Sequence, residues 1–395
     1  MRLSTLSLIA VLLVTSAAHA ATCSQQEIAR TATWALDAQR SLMALPVSED
    51  TATDVSVVGR NVVAAMKDRL NGYAVATMRC APGEVNAADL KKALTDFAGV
   101  KLPESGAVKQ PPPYMPRYGD GPVFDVRLLP SDAVGIVARF GIACGDDAML
   151  MIFERRGGAW IETLRTQSAP YKTVAGAWES FDYGVSPRDK AGRWFVTTKN
   201  MAPWCSSTWS EIRYAVLRPG ADAGHPRTLL SKTDSIWWGT DRTGDLKVDA
   251  TGFDLRWRAE SMDDGVHNRE WIAHYAVDGD RVYRTPPIVE SPRDFADEWV
   301  RLDWPEAKAW TANVAYGLKP LHDRLHKMRN FDYIAIRRCA ADQTQIEVQP
   351  TDPDAVMGHV FFEVSCSKDF QMDTVGFAAS PHCKGPNLFD INKPQ

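Results

Sequence analysis

Residues 194–233, WFVTTKNMAPWCSSTWSEIRYAVLRPGADAGHPRTLLSKT, decide the fold. An apolar run opens the stretch at Trp194, and a polar loop follows. EIRYAVLR (211–218) then alternates apolar and polar side chains, as a half-buried strand does. Pro219-Gly220 presets a bend, and RTLLSKT (227–233) returns as a third strand.

Similar units lie on either side. Phe124-Asp125-x4-Pro130-x-Asp132-x2-Gly135 recurs as Phe181-Asp182-x4-Pro187-x-Asp189-x2-Gly192, displaced by 57 residues throughout. A third copy, 60 residues further on, keeps the turn Asp249-x2-Gly252. After each glycine come an apolar strand, a polar loop, a second strand, a tight turn and a last strand. The turns are Gly157-Gly158, Pro219-Gly220 and Asp278-Gly279, residues that reach positive φ or preset a bend. Residues 331–380 supply a fourth set of four strands, beginning Phe331-Asp332-Tyr333 much as the second begins Phe181-Asp182-Tyr183.

Four strands at this period resemble the blade of a β-propeller. The expected fold is therefore mainly β with an N-terminal helical unit, its β part made of β-propeller-like repeats of four-stranded units. The alternative is a twisted β-sandwich over 123–290 plus a C-terminal α+β domain. The resemblance concerns fold and implies no activity.

Residues 1–20 read as a signal peptide. Arg2 is the positive end, Leu6–Val14 is an apolar core too short to span a bilayer, and Ala18-His19-Ala20 is a small-x-small cleavage pattern. Cys23 invites a lipoprotein reading, but Thr22 immediately before it and the lack of a leucine three back argue against one. Residues 21–109 read as a helical domain. Ser24-x-x-Glu27 forms a capping box, a second helix runs from Val55 to near Gly72, and a third starts at Asn86. Five prolines make 110–122 a linker. The repeated β domain spans 123–302, a helical insert 303–329 and a β-rich C-terminal segment 330–395. No later run is long and apolar enough for a transmembrane helix. The expectation is an exported protein, periplasmic or secreted.

Export permits disulfides. Cys23, Cys80, Cys144, Cys205, Cys339, Cys366 and Cys383 are odd in number, so one at least is left over. The segments suggest Cys23–Cys80, Cys144–Cys205 and one pair among the last three. The leftover thiol is either a nucleophile or, more plainly, an unpaired buried group. No CxxC signals a redox site or a zinc ribbon.

A net charge of −4 argues against nucleic-acid binding, which needs a dense positive face. No GxSxG, P-loop or GxGxxG occurs, and no cofactor is expected. Ser365-x-x-Lys368 sits at a strand end and reads as chance. Asp241–Asp249 lacks the alternating acids that a calcium loop needs.

Three sets of residues are candidates for a site. The loops between second and third strands carry Asp146 and Asp147, then Trp204, then Asp263, Asp264, His267 and Arg269. Their convergence would give carboxylates for acid–base work or for a hard cation; the competing reading is solvated turns. Of thirteen tryptophans, twelve lie between Trp160 and Trp310. Trp194, Trp257 and Trp271 fall on strands and read as core, whereas Trp204, Trp209, Trp237 and Trp238 lie in or near loops, where indoles stack on sugars or clasp peptides. His322 and His326 share a helix face at metal-ligand spacing, but Asp323 stands where HExxH proteases carry their glutamate, and no metal is assigned. The expected function is that of an envelope protein binding a ligand or protein partner through loops of a β-rich core. The alternative is a hydrolase of envelope glycans or peptides using Asp263, Asp264 and His267.

Overall fold

The computed structural model describes residues 23–45, 57–96, 118, 119, 121–130, 132–142, 145–167, 180–201, 209–237, 244–262, 268–312, 317–328, 330–340, 342–351, 357–366 and 369–389. The leader, most of the proline-rich linker and residues 143–144, 202–208, 263–267 and 352–356 of the loops between second and third strands lie outside them.

Helix α1 (Gln25–Met43) begins where expected. The Ser24 hydroxyl accepts from Glu27 N, satisfying a free donor of the first turn. Helix α2 (Val57–Arg79) continues past Gly72 instead of ending there. Tyr73, Ala74, Thr77 and Met78 are buried beyond it, and that packing outweighs the roughly 1 kcal/mol by which glycine disfavours a helix interior. Asn86 caps α3 (Ala87–Thr95) through bonds from Ala88 N and Asp89 N. A Cys23–Cys80 disulfide ties the start of α1 to the end of α2.

Among the described residues sixteen strands follow as four four-stranded antiparallel meanders, each paired in chain order. Sheet one holds β1 (Val123–Leu129), β2 (Ala133–Ile142), β3 (Gly145–Arg156) and β4 (Ala159–Gln167). Sheet two holds β5 (Asp182–Val185), β6 (Val196–Met201), β7 (Trp209–Arg218) and β8 (Arg227–Trp237). Sheet three holds β9 (Asp245–Val248), β10 (Gly252–Glu260), β11 (Asn268–Asp278) and β12 (Arg281–Arg284). Sheet four holds β13 (Phe331–Ala340), β14 (Gln343–Pro350), β15 (Val360–Ser365) and β16 (Gln371–Gly376), closed by a Cys339–Cys383 disulfide. The Asp-x-x-Gly turns join first to second strands. Asp189 Oδ1 accepts from Ala191 N and Arg193 N, and Asp249 Oδ1 from Thr251 N and Gly252 N. These backbone donors hold both carboxyls below their usual range.

The period of two explains how sheets one to three stack. Along β2, Val134, Ile136, Ala138 and Phe140 pack against the helical unit, while Val137 between them packs toward sheet two. In sheet two, Val196 faces sheet one and its neighbour Phe195 faces sheet three. Both faces of sheets one and two are thus buried. Sheet three differs: Phe253, Leu255 and Trp257 face sheet two, but Asp254 and Arg256 between them face outward. Asp254 meets His274 there, and Arg256 meets Glu290. The stack ends at that polar face.

Helix α4 (Pro292–Arg301) begins inside the expected β domain, capped by Ser291. One face sends Phe295 and Trp299 into the core of sheet four. The other sends Asp297 and Glu298 to Arg269 on β11, at 2.9 and 2.5 Å. Short helices α5 (Trp304–Ala309) and α6 (Leu318–Leu325) complete this layer. Asp303 stands at the N-cap of α5 without a side-chain bond to it. Gly317, at φ 92°, stands at the N-cap of α6.

Candidate functional site

A cavity of about 600 Å³ lies where sheets two and three meet α4 and α5. Strand register builds its floor. Trp257 and Trp271 are directly opposed on β10 and β11, so both project from the same face, with ring centroids 6.2 Å apart. Two pairs further along that face, beyond Leu255 and Ala273, Tyr275 completes the floor and is backed by Phe253, which stacks on it at 5.2 Å. From sheet two, Tyr214 of β7 enters edge-on against Phe253. The Trp257 indole donates to Ser235 O on β8 at 2.8 Å, tying the two sheets together beneath the cavity.

The wall is charged. Lys232 and Asp234 stand two apart on β8, and Lys232 is the register partner of Tyr214, so all three share one face. Tyr214 donates to Asp234 Oδ2 at 2.8 Å. From the helices come Glu298, Arg301, Asp303 and Glu306, and from β12 Arg284. Six carboxylates, three permanent cations and His326 line the space, giving an acidic excess. Much of it is internally paired: Arg284 with Glu298 at 2.5 Å, Lys232 with Glu306 at 3.6 Å, Arg301 with Asp297 at 3.0 Å.

Asp234 stands apart, since none of those ion pairs includes it. Burial pushes its carboxyl above the usual carboxylate range, against the bond from Tyr214, with Glu298 adding to the rise. Burial likewise drives the Tyr214 phenol well above its ordinary value, with Asp234 adding to the rise, and raises Tyr275. Burial opposes the charge on Lys232, yet Glu306, Tyr275 and Asp234 together raise it. The cavity thus combines flat apolar faces, a fixed ammonium and a carboxyl held toward its protonated form. Such a set can stack a ring, donate and accept hydrogen bonds, and hand over a proton.

The residues singled out from the sequence are dispersed. Arg269 is buried beneath the cavity, its guanidinium 4.0 Å from the Trp271 ring and paired with Asp297 and Glu298. Trp237 is half-buried at the end of β8, in register with Trp209. Asp146 and Asp147 are buried in sheet one, and Asp147 bonds Lys67 of α2 at 2.5 Å. Trp204, Trp238, Asp263, Asp264 and His267 lie outside the described residues, as do Cys144 and Cys205. His322 and His326 are stacked at 5.8 Å. Each meets a backbone carbonyl, Trp299 O at 3.1 Å and Val300 O at 2.9 Å, so those ring nitrogens carry the proton. Among the described residues no group of three or more His, Cys, Asp or Glu side chains could hold a metal ion. Cys366 is a free thiol, and burial above all pushes its pKa up, which keeps it protonated and a poor nucleophile at neutral pH.

Sequence reading missed Tyr214, Lys232, Asp234, Tyr275, Arg284 and Glu298. The one local signal was the alternation Lys232-x-Asp234 against Tyr214 on adjacent strands, which needs the register to be read. Among the described residues no helix is long and apolar enough to cross a membrane. No protein-family model, curated protein or solved structure matches this chain.

Proposed function

We propose that the chain is an exported envelope protein that binds a small polar ligand in the cavity between sheets two and three. The observation that carries this reading is Asp234, a carboxyl raised by burial above a floor of four aromatic side chains. Pockets at junctions between units, apolar below and sparsely polar above, are where ligands are usually held. The acidic excess favours a ligand with a cationic or hydroxyl-rich group, and the flat floor favours one with a ring; amino sugars and short basic peptides fit both. Two disulfides agree with an oxidising compartment. The face-to-face order of sheets one, two and three supports a propeller-like arrangement.

The test is calorimetric titration of the full chain with amino sugars, neutral glycans and short basic peptides. The expected outcome is saturable binding to one class, weakened about tenfold or more by Asp234→Ala, the usual cost of losing a charged hydrogen bond at a buried site. Absence of saturable binding, or binding indifferent to Asp234→Ala, rejects the proposal.

A second reading is favoured by the same carboxyl. A carboxyl whose proton affinity is raised by burial, beside other carboxylates, is what glycoside or peptide hydrolysis requires of a proton donor. Asp234 would protonate the leaving atom and a wall carboxylate such as Glu260 would take a proton from water. Release of products from the bound class, abolished in Asp234→Asn, would favour the hydrolase over the binding module.

A further inference from the structure

We propose a second, independent ligand site for a small oxyanion where the first strands of sheets one, two and three converge. Arg127 on β1 pairs with Asp182 Oδ1 on β5 at 2.9 Å and donates to Tyr183 O at 3.2 Å. Gly184 on β5 runs so close to Val248 on β9 that a Cβ there would collide with the valine side chain. The three strands are thereby drawn together, and a cavity of about 440 Å³ opens between them.

The sign of its lining separates it from the rest of the molecule. Arg127, Arg139, Lys199 and Lys247 line it against two carboxylates, Asp182 and Asp245. Asp125, which pairs with Arg139 at 3.0 Å, brings the count to four cations and three anions. The whole chain carries −4, so this is a local reversal of charge, in an open cleft between packed sheets. Lys199 is 3% exposed, and its ammonium is disfavoured by burial and supported by Asp182 and Asp245. An incoming anion would add to that support. The two guanidiniums offer planar paired donors, the geometry that matches carboxylate and phosphate oxygens.

The site differs from the acidic cavity in both charge and position, so the two proposals stand or fall separately. The experiment is thermal unfolding of the full chain with inorganic phosphate, and separately acetate, each against chloride at matched ionic strength. A saturable rise in Tm is expected. Phosphate alone assigns a phosphoryl ligand, and acetate alone a carboxylate. Lys199→Met removes a buried charge and risks the fold, so the decisive variants are on the exposed side chains. Lys247→Ala should weaken the apparent Kd about tenfold, and Asp245→Asn should tighten it several-fold. No rise beyond chloride with either anion, or a Kd unchanged in both variants, overturns the proposal.

Discussion

The Tyr214 phenol on β7 donates a 2.8 Å hydrogen bond to Asp234 Oδ2 on β8, two residues beyond its register partner Lys232. The bond joins the aromatic floor of the large cavity to its charged wall. It also opposes the burial that raises the Asp234 carboxyl.

Removing the donor therefore has two consequences. Tyr214→Phe keeps the ring among Phe253, Trp257 and Tyr275 but leaves the carboxyl without its bond. Stability at neutral pH should fall by about 1.5–3 kcal/mol, the range for a hydrogen bond to a charged group. Denaturant unfolding would show this as a lower midpoint at unchanged slope. The Asp234 titration, followed by carboxyl-carbon NMR, should move further upward.

The pH dependence has a definite sign. Asp234 binds its proton more tightly folded than unfolded, because burial raises its folded value. Stability from that proton is present below the ordinary carboxylate value, about pH 4, and is lost as pH rises through the raised one. Asp234→Asn cannot ionise, so its stability relative to the parent chain should improve as pH rises from about 4 through the folded value and level off above it. Asp189 and Asp249 are lowered, so their contribution runs the other way and is lost as pH falls through their folded values. Unfolding midpoints measured across pH for the parent and for Asp234→Asn separate the two trends. A pH-independent difference would mean that Asp234 ionises as an ordinary surface carboxylate.

The four meanders were legible in the sequence for a local reason. A strand shows its period of two over a few residues, and a turn shows its Gly, Pro or Asp chemistry at a fixed place. The paired glycines 157 and 158, both at positive φ, are such a signal. The cavity was not legible, because β7, β8, β10, β11 and α4 contribute to it from positions tens of residues apart. Arg269 illustrates the difficulty: an arginine beside a polar loop reads as exposed, and only the arrival of Asp297 and Glu298 on α4 shows it to be buried. The start of α4 was missed for a similar reason. Ser291-Pro292 is a good helix start, but it falls within residues 123–302, which read as one repeated β domain.

The disulfides give a prediction confined to particular segments. Cys23–Cys80 closes 57 residues and Cys339–Cys383 closes 44. Chain entropy alone assigns each about 4 kcal/mol of stabilisation. Because the first lies in the helical unit and the second in sheet four, Cys80→Ala should loosen α1 and α2 first. Hydrogen exchange should then rise there and remain slow in β14. Uniform loss of protection across the chain would show that the units unfold as one.

The Arg269 cluster yields the largest expected effect. Its guanidinium meets Asp297 at 2.9 Å and Glu298 at 2.5 Å, all three groups almost wholly buried. Asp297 also accepts from Met262 N at 3.1 Å and from Arg301 at 3.0 Å, while Glu298 holds Arg284. Removing Arg269 leaves two buried carboxylates with one cation each, Arg301 on Asp297 and Arg284 on Glu298, whereas removing an exposed ion pair such as Lys92–Asp96 leaves both groups in water. Arg269→Met should therefore cost about 3–5 kcal/mol, and a surface control, Lys92→Met, under about 1 kcal/mol. Replacing Arg269, Asp297, Glu298 and Arg284 together with apolar residues of similar volume should recover most of the loss, since the penalty comes from unpaired charge rather than from the missing attraction. The measurement is denaturant unfolding of the three variants. A quadruple variant no more stable than Arg269→Met would instead make the ion pairs the source of the stability. In that case α4 would be held to sheet three by charge, with packing against Trp271 secondary.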